Sequence, residues 1–142
     1  MNLLSDDDRE FGRRFDEGGV TPAQFDHRAH LRLAYVHLAH HGPEVAVDTF
    51  RHSLQGFLQR HRIDPAKFHE TLTQAWLRAV WHFMQRTGDS ESSEAFLAKC
   101  EALHDPKVML SHYSERVLFS DEARRHFVAP DIDPIPVDRQ GG

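Results

Sequence analysis

The chain has 142 residues and a mass of 16.4 kDa, which is the size of one domain. Its 17 Lys and Arg against 22 Asp and Glu give a formal charge of −5, which argues against binding nucleic acid or anionic lipid by charge. No apolar run approaches the ~20 residues that cross a bilayer, and the N-terminal MNLLSDDDRE is acidic where a signal peptide is basic. The single Cys100 forms no internal disulfide, so a reducing, cytoplasmic location is expected.

Apolar residues recur with helical spacing along most of the chain, and no segment alternates long enough to predict a strand. Ser5, Asp26 and Ser120 are suited to cap helices, and Gly18, Gly42 and Gly88 to end them. The predicted helices cover about 6–17, 27–41, 44–61, 64–87, 93–103, 107–113 and 121–127.

The second, third and fourth predicted helices are joined by only two to four residues, so they should be antiparallel neighbours. The fold class expected is therefore all-α, an up-down helical bundle with additional short C-terminal helices. The whole chain, residues 1–142, is expected to form one domain. Its proline-punctuated end, residues 129–142, is expected to be an extended tail.

Twelve histidines are the outlier of the composition. At about 100° per residue, His27 and His30 fall on the apolar face of the second helix, and His69 falls on that of the fourth. His61 ends the third helix. The antiparallel order brings all four to one end of the bundle. Seven others are interpreted as surface or packing residues: His37, His40, His41, His52, His82, His104 and His126.

Clustered imidazoles on facing helices are typical of sites for zinc, iron, copper or nickel. His27 and His30, spaced i and i+3, and His69 are predicted ligands, with His61 as a further candidate. Three ligands leave a position open for water or substrate, which is the pattern of a catalytic site. Glu70 lies beside His69 and could act as a base or fourth ligand. A single histidine on an apolar face, however, is usually a core residue with a carbonyl or carboxylate partner.

Other catalytic templates fit poorly. The stretch FHETLT resembles the zincin signature, but that signature requires a histidine where this chain has Thr73. The Thr73 hydroxyl could line a pocket or bond back to the preceding helical turn, as threonine in a helix often does. Tyr113 could reach the bundle as a hydrogen-bond donor. No glycine-rich phosphate loop and no GxSxG elbow is present.

Three blocks, FDHRAHLRLAYVHL, KFHETLT and HYSERVLFSDEARRHFVAPD, resemble a family of small helical bacterial hypothetical proteins over residues 21–136. That family's pattern is F-x-H-x-x-H, a YHETLT-like block, then YYS and a serine-started helix ending in PD. This chain departs from the pattern with Phe68 and His112 in place of tyrosines. Neither position therefore requires a hydroxyl here. The resemblance implies that His27, His30, His69 and Glu70 belong together. It implies no reaction.

The first hypothesis is a metal-dependent enzyme acting on a small molecule, either a hydrolase or an oxygenase. In it, His27, His30 and His69 hold a transition metal, with Glu70, Thr73 and Tyr113 as catalytic or pocket residues. The second is a metal- or ligand-binding sensor without turnover. The third is a structural partner protein with packed histidines. A small molecule is the expected partner, nucleic acid and membrane are not expected, and a homodimer stays open.

Overall fold

The structure, a computed structural model, describes residues 2–136, and these contain helices and no strand. The four long helices pack on one another, and three short helices follow them in the chain. They are α1 (Asp6–Asp16), α2 (His27–His41), α3 (Pro43–Arg60), α4 (Glu70–Arg86), α5 (Ser93–Ala98), α6 (Glu115–Leu118) and α7 (Asp121–Arg125). The predicted all-α bundle with short C-terminal helices is confirmed.

The first two long helices begin where their capping residues predict. The Ser5 hydroxyl accepts from the Asp8 N–H at 3.0 Å, and the Asp8 carboxylate accepts from the Ser5 N–H at 3.2 Å. Asp26 accepts from the Ala29 N–H at 2.9 Å. These bonds satisfy backbone donors that have no partner inside a helix.

A single residue, Gly42, joins α2 to α3 with a φ of 79°. This left-handed conformation favours glycine because it has no Cβ. Pro43 opens α3, where its missing N–H removes no helical hydrogen bond. The chain therefore reverses in one residue, and α3 runs back along α2.

The prediction that the fourth helix begins at residue 64 is wrong, and so is the predicted short connection before it. Asp64 caps only a 3₁₀ turn at Pro65–Lys67. Phe68 and His69 are extended, and α4 begins at Glu70. The reason is that the His69 ring itself caps α4 and is bonded to distant backbone, which holds residue 69 outside the helix. The connection from α3 to α4 thus spans residues 61–69.

The C-terminal helices are shorter than predicted. The predicted helix 93–103 divides into α5 and a 3₁₀ turn at Glu101–His104, because the His104 ring caps the Leu97 carbonyl at 2.9 Å. The predicted helix 107–113 is a 3₁₀ turn at Val108–Ser111, and α6 was not predicted at all.

The apolar faces of α1–α4 form the core. Phe15, Leu31, Tyr35, Phe50 and Val80 are fully excluded from solvent. Burying a side chain of this size stabilises the fold by roughly 1.5–3 kcal/mol each before conformational entropy is counted. Within residues 2–136, none of the helices combines the length and apolar character needed to cross a membrane.

The segment after α7 crosses the bundle without regular structure. The Thr71 hydroxyl donates to the His126 carbonyl at 2.8 Å and accepts from the Val128 N–H at 3.1 Å. The Tyr113 hydroxyl donates to the Val128 carbonyl at 2.6 Å, and the side chain of Ile135 is buried. The described part of the predicted tail, 129–136, is non-helical as expected, and residues 137–142 lie outside the described residues.

Candidate functional site

A pocket of about 350 Å³ opens where the N-termini of α2 and α4 meet the C-terminal half of α3. This juxtaposition follows from the reversal at Gly42 and the return of the chain after α3. The walls are mostly apolar: Phe25, Leu54, Phe57, Leu58, Phe68, Leu72 and Trp76. The polar lining consists of Asp26, His27, His30, Lys67, His69 and Thr73. The pocket therefore brings together three of the four predicted metal ligands and one predicted pocket residue.

His27 is anchored at one wall of the pocket. Its Nε2 lies 2.8 Å from the Leu103 carbonyl oxygen, and its ring meets the Trp76 ring edge-on at 4.8 Å between centroids. A carbonyl oxygen only accepts hydrogen bonds, so Nε2 carries the proton. In this tautomer the lone pair is on Nδ1.

The His30 ring contacts other rings, but its nitrogens make no hydrogen bond within residues 2–136. Its ring centroid lies 5.4 Å from that of Phe25 and 5.4 Å from that of Phe50. Burial, reinforced by the nearby His27, lowers the pKa of His30 to about 4. At neutral pH its ring is uncharged and offers one donor and one acceptor.

His69 has both ring nitrogens engaged. Its Nδ1 accepts from the Leu72 N–H at 3.1 Å, and its Nε2 donates to the Leu118 carbonyl at 2.7 Å. Burial lowers the pKa of His69. As a metal ligand through Nδ1, His69 would have to give up the bond that caps α4.

Thr73 lines the pocket, but its hydroxyl proton points back along α4. The hydroxyl donates to the His69 carbonyl at 2.7 Å. This is the back-bonding alternative considered from the sequence, and it occupies the one proton the hydroxyl can donate.

Glu70 lies outside the pocket lining. The Arg51 guanidinium donates to both carboxylate oxygens at 2.7 Å, and Gln74 donates a third bond. The bonded guanidinium of Arg51 lowers the pKa of Glu70. A carboxylate held in this way is a poor proton acceptor, so the geometry gives no support to Glu70 as a base.

Tyr113 and His61 also lie outside the pocket lining. Tyr113 is fully buried, its hydroxyl is bonded to Val128, and burial raises its pKa. The His61 ring lies against Phe57 at 4.5 Å between centroids. Its Nε2 is buried without a hydrogen-bond partner among residues 2–136. The structure therefore does not bring these two residues to His27 and His30.

Sequence reasoning missed several residues of this region. Lys67 and Phe68 adjoin His69 in the same block, so a pocket centred on His69 could have included them. Phe25 precedes the α2 cap in the same way. Arg51 gives no local signal, because it is 19 positions away from its partner Glu70 in the chain.

Across residues 2–136, no group of three or more His, Cys, Asp or Glu side chains is arranged to hold a metal ion. Comparison of the chain with protein-family models, curated proteins and solved structures found no match. The resemblance to small helical bacterial proteins stays a prediction.

Proposed function

We propose that this protein binds a small, largely apolar molecule in the pocket between the N-termini of α2 and α4. The observation that supports this best is a cavity with aromatic walls into which a neutral His30 brings ring nitrogens without protein partners. Ligand pockets are typically concave and mostly apolar, with a few convergent polar groups.

The ligand chemistry follows from the pocket walls. The rings of Phe25, Phe57, Phe68 and Trp76 favour an aromatic or aliphatic body. The ring nitrogens of the half-buried His30 have no protein partner and are open to a ligand in the pocket. A ligand carrying an N–H or O–H group would donate a hydrogen bond to the acceptor nitrogen of His30.

A metal-dependent enzyme is the second candidate, and His27 is the observation that favours it. An imidazole that donates one ring N–H to a backbone carbonyl is oriented as metal ligands commonly are. His27 Nδ1 and one nitrogen of His30 would be the first two ligands, with His69 as the third if it releases Leu72. Zinc, iron, copper or nickel bound there would supply Lewis-acid or redox chemistry.

The binding proposal is tested with phenyl-naphthylamine, a neutral aromatic probe with one N–H donor whose fluorescence rises in apolar surroundings. Leu72→Gln puts a polar group on the pocket wall and should weaken binding about tenfold. His30→Leu keeps the volume but removes the acceptor, so affinity should fall about threefold to tenfold.

Val45→Gln is the matched control, because Val45 is half exposed in the first turn of α3, away from the pocket. It should leave the affinity unchanged. The proposal is wrong if the probe does not bind the wild-type chain, or if Leu72→Gln and Val45→Gln bind it equally well.

The metal candidate has its own test. Untagged protein is reconstituted with zinc, iron(II), copper or nickel, and the bound metal is measured by elemental analysis. About one equivalent is expected with three histidine ligands, and it should be lost in His27→Ala while the helical circular dichroism persists. Protein that retains none of the four metals contradicts this candidate and leaves the binding proposal standing.

A further inference from the structure

A second cavity, of about 520 Å³, adjoins the pocket on the side of α7. The two share Leu58 and Phe68 among their lining residues, so they meet at these residues. The second cavity is more polar, since Gln55 and Gln59 of α3 contribute to it. A molecule that fills the pocket and extends past Phe68 would enter this polar space.

Arg124 and Arg125, in the last turn of α7, give the second cavity a positive charge. Their guanidinium groups form no ion pair or hydrogen bond with the residues described. Glu70 also lines this cavity, and its carboxylate is paired with Arg51, which pairs with Asp48 as well. The lining itself therefore contains two arginines and one carboxylate.

The charge is a local exception, because the whole chain carries −5. The acidic residues of α7, Asp121 and Glu122, are not part of the cavity lining. The field of Arg124 also reaches the pocket, where it contributes to lowering the pKa of His69 after the larger effect of burial. The first pocket is different, since Asp26 and Lys67 both line it and their charges offset one another.

We infer that the ligand is an anionic amphiphile, with an apolar body in the pocket and an acidic group against Arg124 and Arg125. A carboxylate, phosphate or sulfonate fits, because guanidinium groups bind such anions through paired, charge-assisted hydrogen bonds. This inference rests on the proposed function, since it describes the other end of the same ligand.

Two probes test the apolar body and the acidic group of the inferred ligand separately. Anilinonaphthalene sulfonate has the same aromatic body as phenyl-naphthylamine and adds one sulfonate. Wild-type protein should bind the sulfonate about tenfold more tightly, as expected for a partly solvated ion pair with hydrogen bonds. Added salt should reduce this preference and leave the neutral probe unaffected.

The double variant Arg124→Gln/Arg125→Gln should abolish the preference for the sulfonate without changing the affinity for the neutral probe. Arg9→Gln/Arg116→Gln is the control, because it removes the same charge from exposed positions elsewhere. Lys67→Gln tests the alternative that the anion sits at the mouth of the first pocket.

The inference is overturned if the Arg124/Arg125 variant keeps the preference, if the control loses it equally, or if Lys67→Gln abolishes it. Each of these results leaves the proposed function intact, provided the neutral probe binds and Leu72→Gln weakens it. Failure of both probes to bind the wild-type protein contradicts the proposed function itself.

Discussion

The two ends of α2 place histidines whose pKa values are lowered alike and whose bonding differs; His37 is buried and His30 is half-buried. His30 and His37 are seven positions apart, and the ring centroids lie 5.4 Å and 5.7 Å from that of Phe50. Burial lowers the pKa of each to about 4. Only His37 has a hydrogen-bond partner, since its Nδ1 lies 2.8 Å from the Thr49 hydroxyl oxygen. A strongly lowered pKa therefore does not by itself mark a ligand site, and the difference lies in an unused nitrogen beside a cavity.

The His37 end also has histidine neighbours, but they are exposed. The rings of His40 and His41 lie 4.3 Å apart, and that of His41 lies 6.1 Å from His37. Their charges contribute to lowering the pKa of His37, whereas the Asp16 carboxylate opposes this. The rings of His37, His40 and His41 thus pack near one another where α2 turns into α3.

The largest effect expected from this comparison is on stability in acid. The pKa of His37 is about 4 in the folded state and 6.5 in the unfolded chain, so the unfolded chain binds more protons between these values. Stability is retained above pH 6.5 and falls as the pH is lowered toward 4. Protonation of His37 alone should lower the free energy of unfolding by about 3 kcal/mol between pH 7 and pH 4, at 1.36 kcal/mol per pKa unit.

Urea unfolding at pH 7 and at pH 4 measures this loss, with His37→Gln as the comparison. Between the two pH values, the free energy of unfolding should fall by about 3 kcal/mol less in the variant than in the wild type. An equal loss in both proteins would show that His37 is not the residue whose protonation destabilises the fold.

Truncating the two histidines should separate their roles. His37→Ala removes a buried ring and leaves the Thr49 hydroxyl without this partner, so it should destabilise the fold by about 2 kcal/mol. His30→Ala enlarges an existing cavity and breaks no protein hydrogen bond, so it should cost less than about 1 kcal/mol. Thermal unfolding at pH 7 measures both. Equal costs would contradict the comparison.

A milder change tests the hydrogen bond to His37 alone. Thr49→Val keeps the shape of the side chain and removes the hydroxyl, which should cost about 1 kcal/mol of unfolding free energy. His37→Ala/Thr49→Val should then destabilise by clearly less than the sum of the single variants. Additive effects would mean that the two side chains do not interact.

The smallest effect is expected at the exposed His40. Replacing it with glutamine should change stability at pH 7 by less than about 0.5 kcal/mol, as for most surface substitutions. Because the charge of His40 contributes to lowering the pKa of His37, the variant should raise that pKa slightly. The ring protons of His37 in an NMR titration report the change. A fall in the pKa would contradict the expected sign.

The parts of the site that could be predicted are those that depend on helical phase. His27 and His30 line the pocket because the capped start and apolar stripe of α2 fix which face they occupy. His69 reaches the same pocket, although it caps α4 instead of lying inside it. Its bond to Leu118, 49 residues away, could not be read from the local pattern. The same holds for Glu70, whose carboxylate is bonded to Arg51 and lies outside the pocket lining.

The amino-acid sequence by itself determined the helical class, the caps at Ser5 and Asp26, and the end of the bundle at which His27, His30 and His69 line one pocket. These depend on spacing and on backbone donors a few residues apart, so they are local properties. Only the tertiary structure decided which ring nitrogens are bonded, because Leu103 and Leu118, the partners of His27 and His69, come from distant segments of the chain. It also decided that Arg124 and Arg125 border the cavity beside the pocket. Such contacts depend on the docking of the C-terminal segment, which no local periodicity specifies.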